Sequence, residues 1–125
     1  MILGTGIDMI EVERISEKMV RAEGFRELVF SKNEIDYCEK KTNKFEHYAV
    51  RFAAKEAFYK AIGSGWMNGT AFNEIEIRND EKGKPSLILI GATSQLMEQF
   101  KIKTIHVSLT HLKTTAAAVV ILETE

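Results

Sequence analysis

Asp8, Glu56 and Lys60 are the side chains most capable of chemistry in this sequence. Asp8 stands near the end of an apolar stretch after two glycines, Gly4 and Gly6. A carboxylate there is a candidate metal ligand, or it simply caps the helix that follows, since Asp is a favoured N-cap. Glu56 and Lys60 are four residues apart, so on a helix they stack one turn apart. A carboxylate and an ammonium bordering a core can grip a charged ligand. They can also form an ordinary i,i+4 ion pair worth ~0.2–0.5 kcal/mol.

The element that carries Glu56 and Lys60 is legible. Val50, Ala53, Ala54, Ala57, Phe58 and Ala61 recur at helical spacing and form a stripe that must be buried. The spacing predicts a long helix over 45–62, stopped by Gly63 and Gly65. Asp8 is positioned by a predicted strand over 1–10, in which Gly4, Gly6 and Asp8 share one face and leave space for a backbone or ligand to approach. Between them lie a predicted amphipathic helix over 11–22 and a short apolar turn or helix over 25–30. Ser31 and Glu34 have the spacing of a capping box, opening another short helix.

Beyond the long helix, Gly63-Ser64-Gly65 begins a glycine-rich loop of the kind whose N–H groups approach phosphate, or a plain loop anchored by Trp66. Residues 72–78 and 86–90 read as a hairpin around a polar turn, with Glu74 and Glu76 alternating against Ile75 and Ile77 as a half-buried strand. Residues 91–100 form a short helix. The strand over 104–110 alternates, with His106, Ser108 and Thr110 on one face. These line a ligand or face solvent. The apolar run over 115–122 reads as a strand buried on both faces, in a sheet centre or at a subunit interface. The fold class is α+β: a mainly antiparallel sheet of about five strands packed against a long helix, in one domain over 1–125.

Net charge is −1, which argues against a nucleic-acid or polybasic membrane function. No apolar run reaches the ~20 residues needed to span a bilayer, and no signal peptide is evident. Cys38 is the only cysteine, which suits a reducing, cytoplasmic setting; its acidic neighbours disfavour a thiolate, so it reads as structural. Local charge is more telling. Arg14, Lys18 and Arg21 form a row on the first helix, either a solvated face or a dock for an acidic partner.

Four motifs then occur in order: Gly4-x-Gly6-Ile7-Asp8 after a strand, Arg51-Phe-Ala-Ala-Lys-Glu-Ala-Phe-x-Lys-Ala61, Gly83-Lys84-Pro85, and His106-Val-Ser-Leu-Thr-His111. Together they resemble the holo-[acyl-carrier-protein] synthases of the 4′-phosphopantetheinyl transferase family, over nearly the whole chain. The resemblance implies that fold, and transfer of 4′-phosphopantetheine from coenzyme A to a serine of apo-acyl carrier protein, with adenosine 3′,5′-bisphosphate released. It implies Mg²⁺ held by Asp8 and Glu56, catalysis by Glu56 and Lys60, and coenzyme A contacts from Arg51, Lys60, Gly63, Ser64, Gly65 and His106. It also implies carrier docking by Arg14, Lys18 and Arg21, and a homotrimer with sites between subunits. His47 and His111 receive no role. The rival reading is a non-catalytic module that binds coenzyme A or docks acidic proteins, which would not need two metal carboxylates.

Overall fold

The computed structural model describes all 125 residues. Five helices and five strands run in the order β1 (Ile2–Glu11), α1 (Val12–Arg21), α2 (Phe25–Val29), α3 (Lys32–Glu39), α4 (Lys44–Ile62), β2 (Ile75–Asn79), β3 (Pro85–Leu89), α5 (Gln95–Gln99), β4 (Thr104–His111) and β5 (Thr115–Glu123). Short 3₁₀ turns precede β2 and α5. No helix is long and apolar enough to cross a membrane.

The five expected strands divide into two sheets. β1, β5 and β4 make an antiparallel sheet in that order, and β2 with β3 make a separate hairpin. Helix α4 lies across the larger sheet. All six residues of its expected stripe are buried, and Gly63 closes it at φ +92° in the left-handed region where a side chain would be strained. The C-terminal half of α4 packs with the hairpin, α5 and β5, while its N-terminal half packs with α1 to α3.

The glycines of β1 permit this. A Cβ on Gly4 would lie 2.0 Å from the Ala61 carbonyl oxygen, and one on Gly6 would lie 1.9 Å from that of Ala57. The space that the sequence suggested is therefore filled by the backbone of α4.

A second constraint sits in the core. Lys55 is fully buried, and its Nζ donates to Glu34 Oε1 (2.7 Å), to the Phe72 carbonyl (2.8 Å) and to the Ile75 carbonyl. Glu34 also accepts from the Ser31 and Ile77 backbone N–H groups at 2.9 and 3.0 Å. The expected Ser31–Glu34 capping box is present, and its carboxylate serves the core as well. Burial pulls the Lys55 ammonium below the ordinary lysine range, and Glu34 opposes that shift. One ion pair thus ties α3, α4 and β2 together.

Several sequence readings need correction. β1 runs on through Asp8, and α1 opens at Glu11 without a side-chain cap, so Asp8 caps no helix. The first hairpin strand starts at Ile75, and Glu76 is 1% exposed rather than facing solvent, held by Arg78 and Asn33. β5 is central in its sheet, but only Ala116, Ala118, Val120 and Leu122 are buried. Its other face, with Ile7 and Met9 of β1 exposed by 68% and 70%, lies open within one chain. Cys38 is buried, and burial pushes its thiol up to about 12, as expected for a structural cysteine.

Two substitutions check these constraints. Gly6→Ala forces α4 off β1 and should cost at least ~3 kcal/mol in urea unfolding, against ~0.5 kcal/mol or less for the exposed Thr5→Ala. Lys55→Met strands the Glu34 carboxylate without its counter-charge and should cost ~3–5 kcal/mol.

Candidate active site

The close seating of α4 on β1 brings Asp8, Glu56 and Lys60 together. Lys60 Nζ donates to Asp8 Oδ1 at 2.9 Å and to the Ile7 carbonyl at 3.1 Å. The ordinary Glu56–Lys60 ion pair therefore does not form; the lysine crosses to the strand instead. The Asp8 side chain is 17% exposed and that of Lys60 is 55% exposed, so the pair opens to solvent on one side.

Glu56 is half-buried beside this pair. Burial, and then the charge of Asp8, push its carboxyl above the ordinary range, while Lys60 and Lys18 pull it back. No hydrogen bond holds the ionised form. Two carboxylates close enough for the charge of Asp8 to act on Glu56 suit a cation between them. The chain has no group of three or more His, Cys, Asp or Glu side chains fit to hold a metal ion alone. Two hard oxygen donors match Mg²⁺, which commonly takes one or two carboxylates and completes its shell with waters and substrate phosphates.

Gly63, Ser64 and Gly65 follow Lys60 at the end of α4 and are exposed, with Gly65 also at positive φ (+67°). Ser64 Oγ donates to the Gly65 carbonyl at 3.0 Å.

Arg51 belongs to a different side of α4. Five residues before Glu56, it is turned about 140° around the helix. It is 2% exposed, stacks its guanidinium 4.4 Å from the Tyr37 ring centroid, and donates to Asn79 Oδ1 and to the His47 carbonyl. Its Nε is buried without a partner, and no carboxylate forms an ion pair with it. It borders a cavity of about 380 Å³ that is also lined by His47, Gly83, Lys84, Ser108 and His111. A buried guanidinium with no anion is a strong phosphate receptor.

His106 is on the outer face of β4, exposed, with Nε2 2.9 Å from Glu123 Oε1. The chain does not bring it to the Arg51 cavity. Arg14 and Arg21 are exposed on α1 as the sequence suggested. Lys18 is exposed with them, and its Nζ sits 5.9 Å from the Phe25 ring centroid and 6.0 Å from that of Phe52.

The sequence reading gave no role to Tyr37, Asn79, His47 or His111 around Arg51. One signal was available: His47 is four residues before Arg51 and so one helical turn away. His111 accepts or donates at Nδ1 with Glu46 Oε1 at 2.8 Å, and its ring lies 5.1 Å from that of His47.

The chain is similar to known proteins in sequence and in fold. A family model of the 4′-phosphopantetheinyl transferase superfamily matches residues 4–120. The holo-[acyl-carrier-protein] synthase of Solibacter usitatus is 45% identical over 124 residues, 98% of this chain and 99% of its own. The crystal structure of the Neisseria meningitidis holo-[acyl-carrier-protein] synthase superposes with a TM-score of 0.89 at 31% identity, covering 98% of this chain and 99% of that one. That of the Bacillus anthracis synthase, in complex with CoA (3′,5′-ADP), superposes at 0.82 and 37% identity over 100% and 99%. The chain belongs to the 4′-phosphopantetheinyl transferase superfamily.

Burial, with Arg51 next, pulls His47 down to about 4 from an ordinary 6.5. The folded state therefore takes up this proton later than the unfolded chain as pH falls. His47 costs nothing above pH 6.5, and stability is lost as pH drops from 6.5 towards 4. His47→Gln should remove part of that loss: its Tm should fall less than the wild type's between pH 7 and pH 5, by a few degrees in calorimetry.

Proposed function

We propose that the protein is a holo-[acyl-carrier-protein] synthase, transferring 4′-phosphopantetheine from coenzyme A to a serine of apo-acyl carrier protein. The observation that carries this reading is the meeting of Asp8, Glu56 and Lys60 across β1 and α4, in a chain of this superfamily. In the reaction the serine oxygen forms a bond to the phosphorus on the pantetheine side of the pyrophosphate. The bond from that phosphorus to the bridging oxygen breaks, the hydroxyl proton is released, and adenosine 3′,5′-bisphosphate leaves. Such transfer rests on positioning and charge neutralisation.

Asp8 and Glu56 would hold Mg²⁺, which supplies charge neutralisation on the pyrophosphate when bound. Lys60 holds Asp8 in place and offers its remaining donor to a phosphate oxygen. The exposed Gly63-Ser64-Gly65 turn, which follows Lys60 at the end of α4, would offer backbone N–H groups to a phosphate. Arg51, with its unpartnered Nε, takes the terminal phosphate of coenzyme A in the neighbouring cavity.

Arg51 and the Asp8–Glu56–Lys60 cluster lie on different sides of α4, and His106 lies on a third surface. One coenzyme A can meet all of them if the sites form between subunits. The open apolar face around Ile7, Met9, Val119 and Ile121 supports such an assembly, and we assign it to a homotrimer. Arg14 and Arg21 present two exposed cations for the acidic carrier. The lone buried Cys38 accords with a cytoplasmic location.

Mass spectrometry of apo-acyl carrier protein incubated with the protein, coenzyme A and Mg²⁺ tests the reading. The expected result is a mass gain of one phosphopantetheine group, abolished by EDTA. Clear coenzyme A binding without any gain would instead favour the non-catalytic module. Glu56→Gln should lower Mg²⁺-dependent turnover ~10²-fold or more while circular dichroism and Tm stay close to wild type. The double variant Arg14→Glu/Arg21→Glu should raise the KM for carrier at least ~10-fold at low salt and flatten its salt dependence.

A further inference from the structure

Two of the three histidines are committed: His106 pairs with Glu123, and His111 with Glu46. The His47 ring makes no hydrogen bond within the chain. Only its backbone carbonyl is used, accepting from Arg51 Nη1 at 3.3 Å. His47 and Arg51 stand one turn apart on α4 and line the same cavity of about 380 Å³. Tyr37 of α3 packs against both. Its ring lies 4.4 Å from the Arg51 guanidinium and meets the His47 ring edge-on, at 5.8 Å and 72°. The His111 ring packs on His47 as well, at 5.1 Å. The cavity therefore holds a buried guanidinium with an unpartnered Nε and, beside it, an imidazole held by its neighbours but bonded to none of them.

The charges around His47 decide what it can do. Arg51 on its own helix, Lys41 just before that helix and Lys84 in the cavity wall are positive; Glu46 is negative but already paired with His111. Burial, with Arg51 next, keeps the imidazole of the empty cavity neutral. A phosphate monoester reverses that balance, because its dianion sets two negative charges beside Arg51 and favours the imidazolium. A protonated ring then gives the anion a charge-assisted hydrogen bond. We propose that His47 is a second contact for the terminal phosphate monoester of coenzyme A in the Arg51 cavity, donating a hydrogen bond to it and taking up a proton as it docks. This rests on the transferase reading above. It makes His47 a determinant of the choice between coenzyme A and dephospho-coenzyme A, which lacks only that phosphate.

His47→Phe tests it, because phenylalanine keeps a ring between Tyr37 and His111 and removes both the donor and the proton site. Binding of coenzyme A and of dephospho-coenzyme A is measured by calorimetry at pH 6.5, in buffers of different ionisation enthalpy, so that affinity and protons taken up are read together. His47→Phe should weaken coenzyme A roughly tenfold and leave dephospho-coenzyme A unchanged. The wild type should take up about half a proton more than His47→Phe on binding coenzyme A, and no more on binding dephospho-coenzyme A. His47→Gln, which keeps a neutral donor, should recover part of the affinity and none of the proton uptake. Equal proton counts in wild type and His47→Phe, or equal losses for the two ligands, would overturn the assignment. If the wild type still modifies apo-acyl carrier protein in that case, the transferase reading stands. A wild type that binds neither ligand and modifies no carrier overturns both.

Discussion

Everything in this molecule follows from one close approach. Helix α4 lies on β1 with its backbone where side chains would normally stand, because Gly4 and Gly6 have none. At an ordinary helix–sheet separation of ~10 Å, a lysine on α4 would have to stretch to reach the strand. Here Lys60 meets both the Asp8 carboxylate and the Ile7 carbonyl of β1. The next residue of the glycine-bearing face after Gly6 is Asp8, so the contact that packs the core also sets the distance between the two carboxylates. The chemistry is a by-product of how tightly two elements seat.

That dependence explains what could be read from the sequence. The period of α4 and its glycine stop are local, and both were legible. So were the capping box at Ser31 and the alternation of β4. Asp8 and Glu56 were legible as candidates but not as neighbours; their proximity is a tertiary fact, and the resemblance of the motifs supplied it. The division of five strands into a sheet and a hairpin has no local signature. Neither does the burial of Glu76, since alternation says which residues share a face and not whether a partner covers it. Nor does the contact of Lys18 with the Phe25 and Phe52 rings have one. Helical spacing places it with Arg14 and Arg21, and a long flexible side chain then follows the aromatic surface beside it.

Helix α4 also acts as a partition. Its buried positively charged residues point in different directions and have different fates. Lys55 is satisfied by a carboxylate and two carbonyls and is finished as a structural group. Arg51 is buried without an anion and keeps a donor unused. The same helix therefore carries a closed polar core and an unsatisfied one. The difference between them is the presence of Glu34.

The pairing of β1 with β5 has a consequence for how the chain comes to be folded. Ile2 sits opposite Glu123, and β5 is the only strand that β1 touches. During synthesis β1 and α4 are both made before β5, the strand that completes their sheet. Until then Ile7, Met9 and the glycine face of β1 have no ladder to join. High sequence separation between partners slows folding and prolongs the exposure of apolar, strand-forming segments. Topology alone thus lengthens the time that β1 spends without a strand partner.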